Sequence, residues 1–285
     1  MNTDVNGGKW RWSGRTPPEV RSRPTCFARV RGKGPRVLLV HGVAGSALIW
    51  SRVVDLLAPE LELVAVDLLG YGHSAKPQMR YTPAAHVDAI RAAIERDGDS
   101  EPLVVVGLSM GCLLALEYAA RYPTGVRAVV NVAMPYYRDA REARLGVRSN
   151  VWTALVMEAP PVARVVIGAL WGAGRHSQLL SKALAPRLYS GEMARETMMA
   201  RYHSFSSTLR ECLIDNRAEP LLDATARIPT AFIHGGADRW CPATRILELV
   251  AGRSNATVQV VEGAGHNLAV LEPARVANLI ATIAS

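Results

Sequence analysis

Phenylalanine is scarce in this 285-residue chain, at three residues, and cysteine is nearly so, at four. Cys26, Cys112, Cys212 and Cys241 lie far apart and include no CxxC pair. That spacing excludes a zinc ribbon and a small disulfide scaffold, so buried free thiols are expected and no metal site is. Long apolar runs are missing too. The longest, Val162 to Trp171, is broken by Arg164 and Gly168 and is too short to cross a bilayer. The first thirty residues carry charge without the apolar stretch of a signal peptide, and none follows Arg21-Ser22-Arg23. A soluble cytoplasmic protein with no membrane span is the expectation. There is no internal repeat and no low-complexity tract.

Acidic residues are outnumbered, 25 against 33 basic ones, for a formal net charge of +8. The excess is local: residues 1–36 hold nine Lys/Arg against Asp4 and Glu19. Because electrostatic fields act locally, a basic arm beside a near-neutral body does not predict a nucleic-acid partner, and the arm reads as a solvated terminus. Hydrophobic residues make up 49% of the chain and charged ones 20%, which excludes global disorder and permits a sizeable core.

Short apolar, β-branched runs bounded by turn residues recur at 36–41, 62–67, 102–107, 127–132, 229–234 and 256–261. Runs that do not alternate with polar residues fit strands covered on both faces. Helical periodicity lies between them. Val87, Ile90 and Ile94 follow the cap and first-turn proline Thr82-Pro83, and Val276, Leu279, Ile280 and Ile283 follow Pro273. This alternation predicts an α/β chain with a doubly wound, mostly parallel sheet. The rhythm stops after Pro135 and resumes at Ile228-Pro229, with a helix-favouring stretch between. The expected organisation is a basic arm over 1–35, a core over 36–135 and 228–285, and an inserted helical cap over 136–227.

Gly107-Leu-Ser109-Met-Gly111 has the G-x-S-x-G form and stands between a predicted strand and a predicted helix. A sharp strand-to-helix turn there exposes the serine hydroxyl, and the flanking glycines let neighbouring backbone approach. Serine is a weak nucleophile at neutral pH, so it needs a base in hydrogen-bond reach and an acceptor to orient that base. Asp238 in His234-Gly-Gly-Ala-Asp238 and His266 in Gly263-Ala-Gly-His266 each follow a predicted strand, at the sheet end where α/β folds place ligands. Asp139, just after the preceding strand, is the alternative acid. His41, His73, His86, His176, His203 and His234 read as structural.

These motifs, with His41-Gly42, Gly45-Ser46 and Asp67-Leu-Leu-Gly70-Tyr-Gly72-His-Ser74, resemble the α/β-hydrolase family, in its capped serine esterase, C–C hydrolase and perhydrolase-like branch. The resemblance covers roughly 36–135 and 228–285, while the cap matches by position alone. It implies the chain order serine, acid, histidine, hence Ser109, Asp238 and His266. It also implies an oxyanion hole made by the backbone N–H groups of Met110 and Val43. Cys112 departs from the pattern, because relatives often carry a second glycine there. A nucleophilic serine disfavours the dehalogenase and epoxide hydrolase branches, which use aspartate.

The implied activity is hydrolysis of a carboxylic ester through an acyl-enzyme, with no cofactor. Thioesterase, C–C hydrolase, lyase or cyclase chemistry and a non-catalytic binding role are the alternatives on the same fold. Apolar residues of the cap, among them Trp152, Met157 and Trp171, are the candidate substrate contacts. They imply a small-molecule, hydrophobic, ester-like partner.

Overall fold

In the computed structural model, the described residues are 26–57, 59–95, 101–148, 151–172, 191–197 and 199–285. They form one seven-stranded sheet flanked by helices. The strands are β1 (Phe27–Arg31), β2 (Arg36–Val40), β3 (Glu62–Asp67), β4 (Leu103–Leu108), β5 (Val126–Val132), β6 (Thr230–Gly235) and β7 (Ala256–Val261). Their order is β1-β3-β2-β4-β5-β6-β7, parallel throughout except for β1, which runs antiparallel to β3.

Side-chain alternation explains why the strands read as unbroken apolar runs. Val37 and Leu39 enter one buried layer with Trp50, Val104, Val106, Val276 and Ile280. Leu38 and Val40 enter the other with Val64, Val105, Ile90 and Leu114. Both faces of β2 to β6 are covered, whereas β7 exposes Thr257 and Gln259, and burial of each Val or Leu side chain is worth about 1.5–3 kcal/mol. The helix Pro83–Ile94 begins at its expected cap, with Thr82 Oγ1 accepting the Ala85 N–H at 3.2 Å.

β1 falls within the stretch expected as a basic arm over 1–35. Residues 27–31 are an edge strand, and Arg29 at its centre is only 4% exposed. The sequence hides this strand because its alternation is of charge rather than of hydrophobicity. Distant carboxylates meet Arg29 in its buried position. One guanidinium nitrogen donates to Asp67 Oδ1 at 3.2 Å, and the other donates to Glu196 Oε1. Residues 1–25 lie outside the described residues.

Between β5 and β6 the described chain is helical: Ala140–Arg148, Val151–Glu158, Pro160–Gly172, Gly191–Thr197, Tyr202–Thr208, a π-helical turn at Leu209–Ile214, and Ala218–Ala224. No described helix is long and apolar enough to cross a membrane. All four cysteines are buried and unpaired.

Candidate active site

The turn from β4 into the helix Met110–Arg121 holds Ser109 at φ +53°, a left-handed conformation that a serine adopts only under constraint. Its neighbours explain the glycines. A Cβ on Gly107 would lie 2.4 Å from the Gly111 carbonyl oxygen, and one on Gly111 would lie 2.5 Å from that of Val40. The Ser109 N–H donates to the Val132 carbonyl at 2.8 Å, which ties the turn to β5. Cys112 is fully buried here, and its thiol donates to the carbonyls of Gly107 at 3.2 Å and Val132 at 3.4 Å. The departure from glycine is thus absorbed as packing beneath the turn.

His266 follows β7 and stands between Ser109 and Asp238. Its Nε2 is 3.0 Å from Ser109 Oγ, and its Nδ1 is 2.7 Å from Asp238 Oδ2. Asp238 Oδ1 accepts the N–H groups of Trp240 at 2.9 Å and Cys241 at 3.0 Å, so the carboxylate is locked within its own loop. Burial pushes the Asp238 carboxyl up, but the hydrogen bond and charge of His266, the Cys241 N–H and the nearby His234 outweigh it and leave it below the ordinary value. Asp139 lies elsewhere. It is exposed, and its Oδ1 accepts the Glu142 N–H at 2.8 Å at the start of the helix Ala140–Arg148.

Met110 opens the helix after Ser109, where first-turn N–H groups have no intrahelical acceptor. Val43 sits in the loop after β2, beside Gly42, whose added Cβ would touch Ser109 Cβ at 3.0 Å. His41 organises this loop. Its Nδ1 is 2.7 Å from the Gly42 carbonyl oxygen, and its Nε2 accepts the Leu68 N–H at 2.9 Å. The loop also contains Ala44 at φ +53° and is closed by the Ala47 N–H, which donates to Asp67 Oδ1 at 2.8 Å.

A strained serine at a strand-to-helix turn, in contact with a histidine whose other nitrogen meets a buried carboxylate, is the expected constellation of one family. The model of the alpha/beta hydrolase fold matches residues 35–273. The chain belongs to the alpha/beta hydrolase family. An uncharacterised protein of Mycobacterium bovis is 29% identical over 266 residues, covering 88% of this chain and 76% of the relative. The 2-(acetamidomethylene)succinate hydrolase of Mesorhizobium japonicum is 26% identical over 260 residues and 88% of each chain. A thermophilic esterase from Thermogutta terrifontis superposes with TM-score 0.70 at 20% identity, over 91% of this chain and 94% of that one.

Two further groups, Trp240 and His234, lie against His266 and Asp238, and a third, Glu196, is buried against Arg29. The Trp240 ring meets His266 edge-on, with centroids 5.2 Å apart, and Trp240 is 42% exposed. His234 Nε2 donates to the Cys241 carbonyl and lies 3.6 Å from Asp238 Oδ2. Glu196, carried by the helix Gly191–Thr197, is fully buried against Arg29, and its Oε1 is 3.1 Å from His73 Nε2. Burial raises its carboxyl, against the pull of Arg29. The acid-loop string Asp238-Arg-Trp-Cys-Pro242 marked Trp240 by position alone. Nothing near Glu196 in sequence marked it.

Met157 is half-buried and packs against the main core layer. The side chains of Trp152 and Trp171 lie outside the described ones, as does His176.

Proposed function

We propose that this α/β-hydrolase is a serine hydrolase that cleaves a carboxylic ester by way of an acyl-enzyme. The observation that carries this reading is the unbroken chain Ser109 Oγ, His266, Asp238, with contacts of 3.0 and 2.7 Å. Ser109 Oγ attacks the carbonyl carbon while His266 Nε2 takes its proton, and Asp238 holds Nδ1–H and favours the imidazolium. The negative charge that develops on the carbonyl oxygen meets the N–H groups of Met110 and Val43. The alcohol leaves with the proton from His266, and water, activated by the same base, releases the acid. No metal or organic cofactor takes part in these steps.

In this reading residues 136–227 act as a cap, with Met157 the described candidate for contact with a hydrophobic acyl or aryl group. The four buried thiols, unpaired, support a reducing compartment such as the cytoplasm.

A fluorophosphonate probe should label the wild-type protein and fail to label Ser109→Ala. On p-nitrophenyl esters, each added methylene should raise kcat/KM up to about fourfold, corresponding to ~0.8 kcal/mol, until the pocket is filled. A steady fall from acetate onward removes the hydrophobic acyl preference. Turnover of acyl thioesters or vinylogous diketones in preference to every ester moves the chemistry to thioester or C–C cleavage at the same serine.

A further inference from the structure

Cys241 is a buried thiol that the proposed hydrolysis does not use, yet it belongs to the acid loop. One ligand atom from each of Asp238, Cys241 and His266 falls within 4.8 Å of the others. The three differ in chemistry: a carboxylate oxygen, a sulfur and an imidazole nitrogen. Tetrahedral zinc takes this donor mixture at about 2.0–2.3 Å, which spaces its ligand atoms about 3.3–3.8 Å apart, so the cation must part Asp238 Oδ2 from His266 Nδ1, which lie 2.7 Å apart here. Asp238 and Cys241 are held by the loop's own hydrogen bonds, with both Trp240 and Cys241 N–H groups on Asp238 Oδ1. Asp238 Oδ2, the oxygen those groups leave available, is the one that His266 Nδ1 contacts at 2.7 Å.

We propose that Asp238, Cys241 and His266 form an inhibitory site for a thiophilic divalent cation of the zinc and cadmium class. The proposal rests on the serine hydrolase reading for its effect on activity, but not for binding. When the cation enters, the Cys241 thiol proton goes to solvent and sulfur binds as thiolate. His266 gives up Nδ1 to the cation, its ring proton moves to Nε2, and Asp238 Oδ2 becomes the third ligand. His266 then presents a proton instead of a lone pair to Ser109, and the base is lost. The sulfur donor favours soft cations that bind thiolate strongly over calcium or magnesium, which take oxygen ligands.

The test titrates CdCl2 and ZnCl2 into the full-length wild type and into Cys241→Ala, with Cys241→Ser as the second variant should the first fail to fold. Each protein's activity is referred to its own metal-free value, and EDTA should restore the wild type. Loss of an outer-shell partner alone costs a metal site about tenfold in affinity, so loss of the sulfur ligand should raise the inhibitory concentration at least that much. Equal sensitivity in wild type and variant overturns the proposal. Binding is read separately, by the ultraviolet cadmium–thiolate charge-transfer band. It should appear with one equivalent in the wild type and in Ser109→Ala, and be lost in the Cys241 variants. If Ser109 proves not to be a nucleophile, the band still reports on the site. If the band is unchanged by the Cys241 substitutions, the site fails while the hydrolase reading stands.

Discussion

His234 lies 3.6 Å from Asp238 Oδ2, four residues earlier in the chain, and both side chains are fully buried. Its Nε2 donates to the Cys241 carbonyl, which closes the loop that carries the acid. Burial lowers the His234 pKa and so favours the neutral ring, which acts as a hydrogen-bonding strut. His234→Leu should therefore cost about ten- to a hundredfold in kcat, the scale of a sub-ångström to ångström misplacement, with KM nearly unchanged. Steady-state kinetics on a p-nitrophenyl ester would show this, and an unaltered kcat would rule the strut out.

Ser109→Ala should lower turnover by about 10⁴ to 10⁶ without unfolding the protein. Ser109→Gly should be as inactive yet more stable, because glycine adopts φ +53° freely while serine holds it at a cost of about 1–3 kcal/mol. Thermal melts of the two variants side by side check the strain: a glycine variant no more stable than the alanine one contradicts it.

Asp238→Asn should lose about 10⁴ in kcat, since an amide cannot hold the required tautomer of His266. Asp139→Asn should keep its activity, and at most a small fall in Tm should follow from the weakened contact with the Glu142 N–H. Comparable losses in both variants would place the orienting carboxylate elsewhere.

Stability should peak between roughly pH 7 and 8.5. Burial pushes His86 down to about 3 and lowers His41 in the same direction, as it does His234. Each unfolded histidine takes up a proton near pH 6.5, so below that value the unfolded state binds more protons and stability falls as pH drops. The depressed Asp238 adds to this loss at lower pH still. On the alkaline side, burial raises Cys26 to about 12 and also raises Cys112, Cys212 and Cys241. Unfolded thiols release protons above about pH 8.5 and folded ones do not, so stability declines there too. A Tm that stays flat from pH 7 to pH 5 would contradict the buried neutral histidines.

Glu196→Ala should destabilise the protein by about 3–5 kcal/mol, because it deprives the buried Arg29 of a carboxylate partner. Chemical denaturation provides the measurement. A loss below ~1 kcal/mol, the level of an exposed pair, would mean that Glu196 does not close over Arg29.

Local sequence determined the sheet and the placement of Ser109, Asp238 and His266 at the ends of its strands. Six of the seven strands were legible as short apolar, β-branched runs; five of them are covered on both faces, while β7 exposes Thr257 and Gln259 on one. Ser109 was legible because the turn that strains it needs glycine at 107 and 111, a demand written within five residues. Asp238 and His266 were legible as residues at strand ends, and the family resemblance favoured Asp238 over Asp139; the 2.7 Å contact of Asp238 with His266 Nδ1 comes from folding. β1 was invisible for a related reason. An arginine in a strand reads as solvent-facing until an acid 38 residues away and another 167 residues away neutralise it. Periodicity records which side of an element meets the core. The burial of a charge, or the meeting of a thiol with an acid and a histidine, depends on partners that sequence spacing does not encode, and the tertiary structure alone decided them.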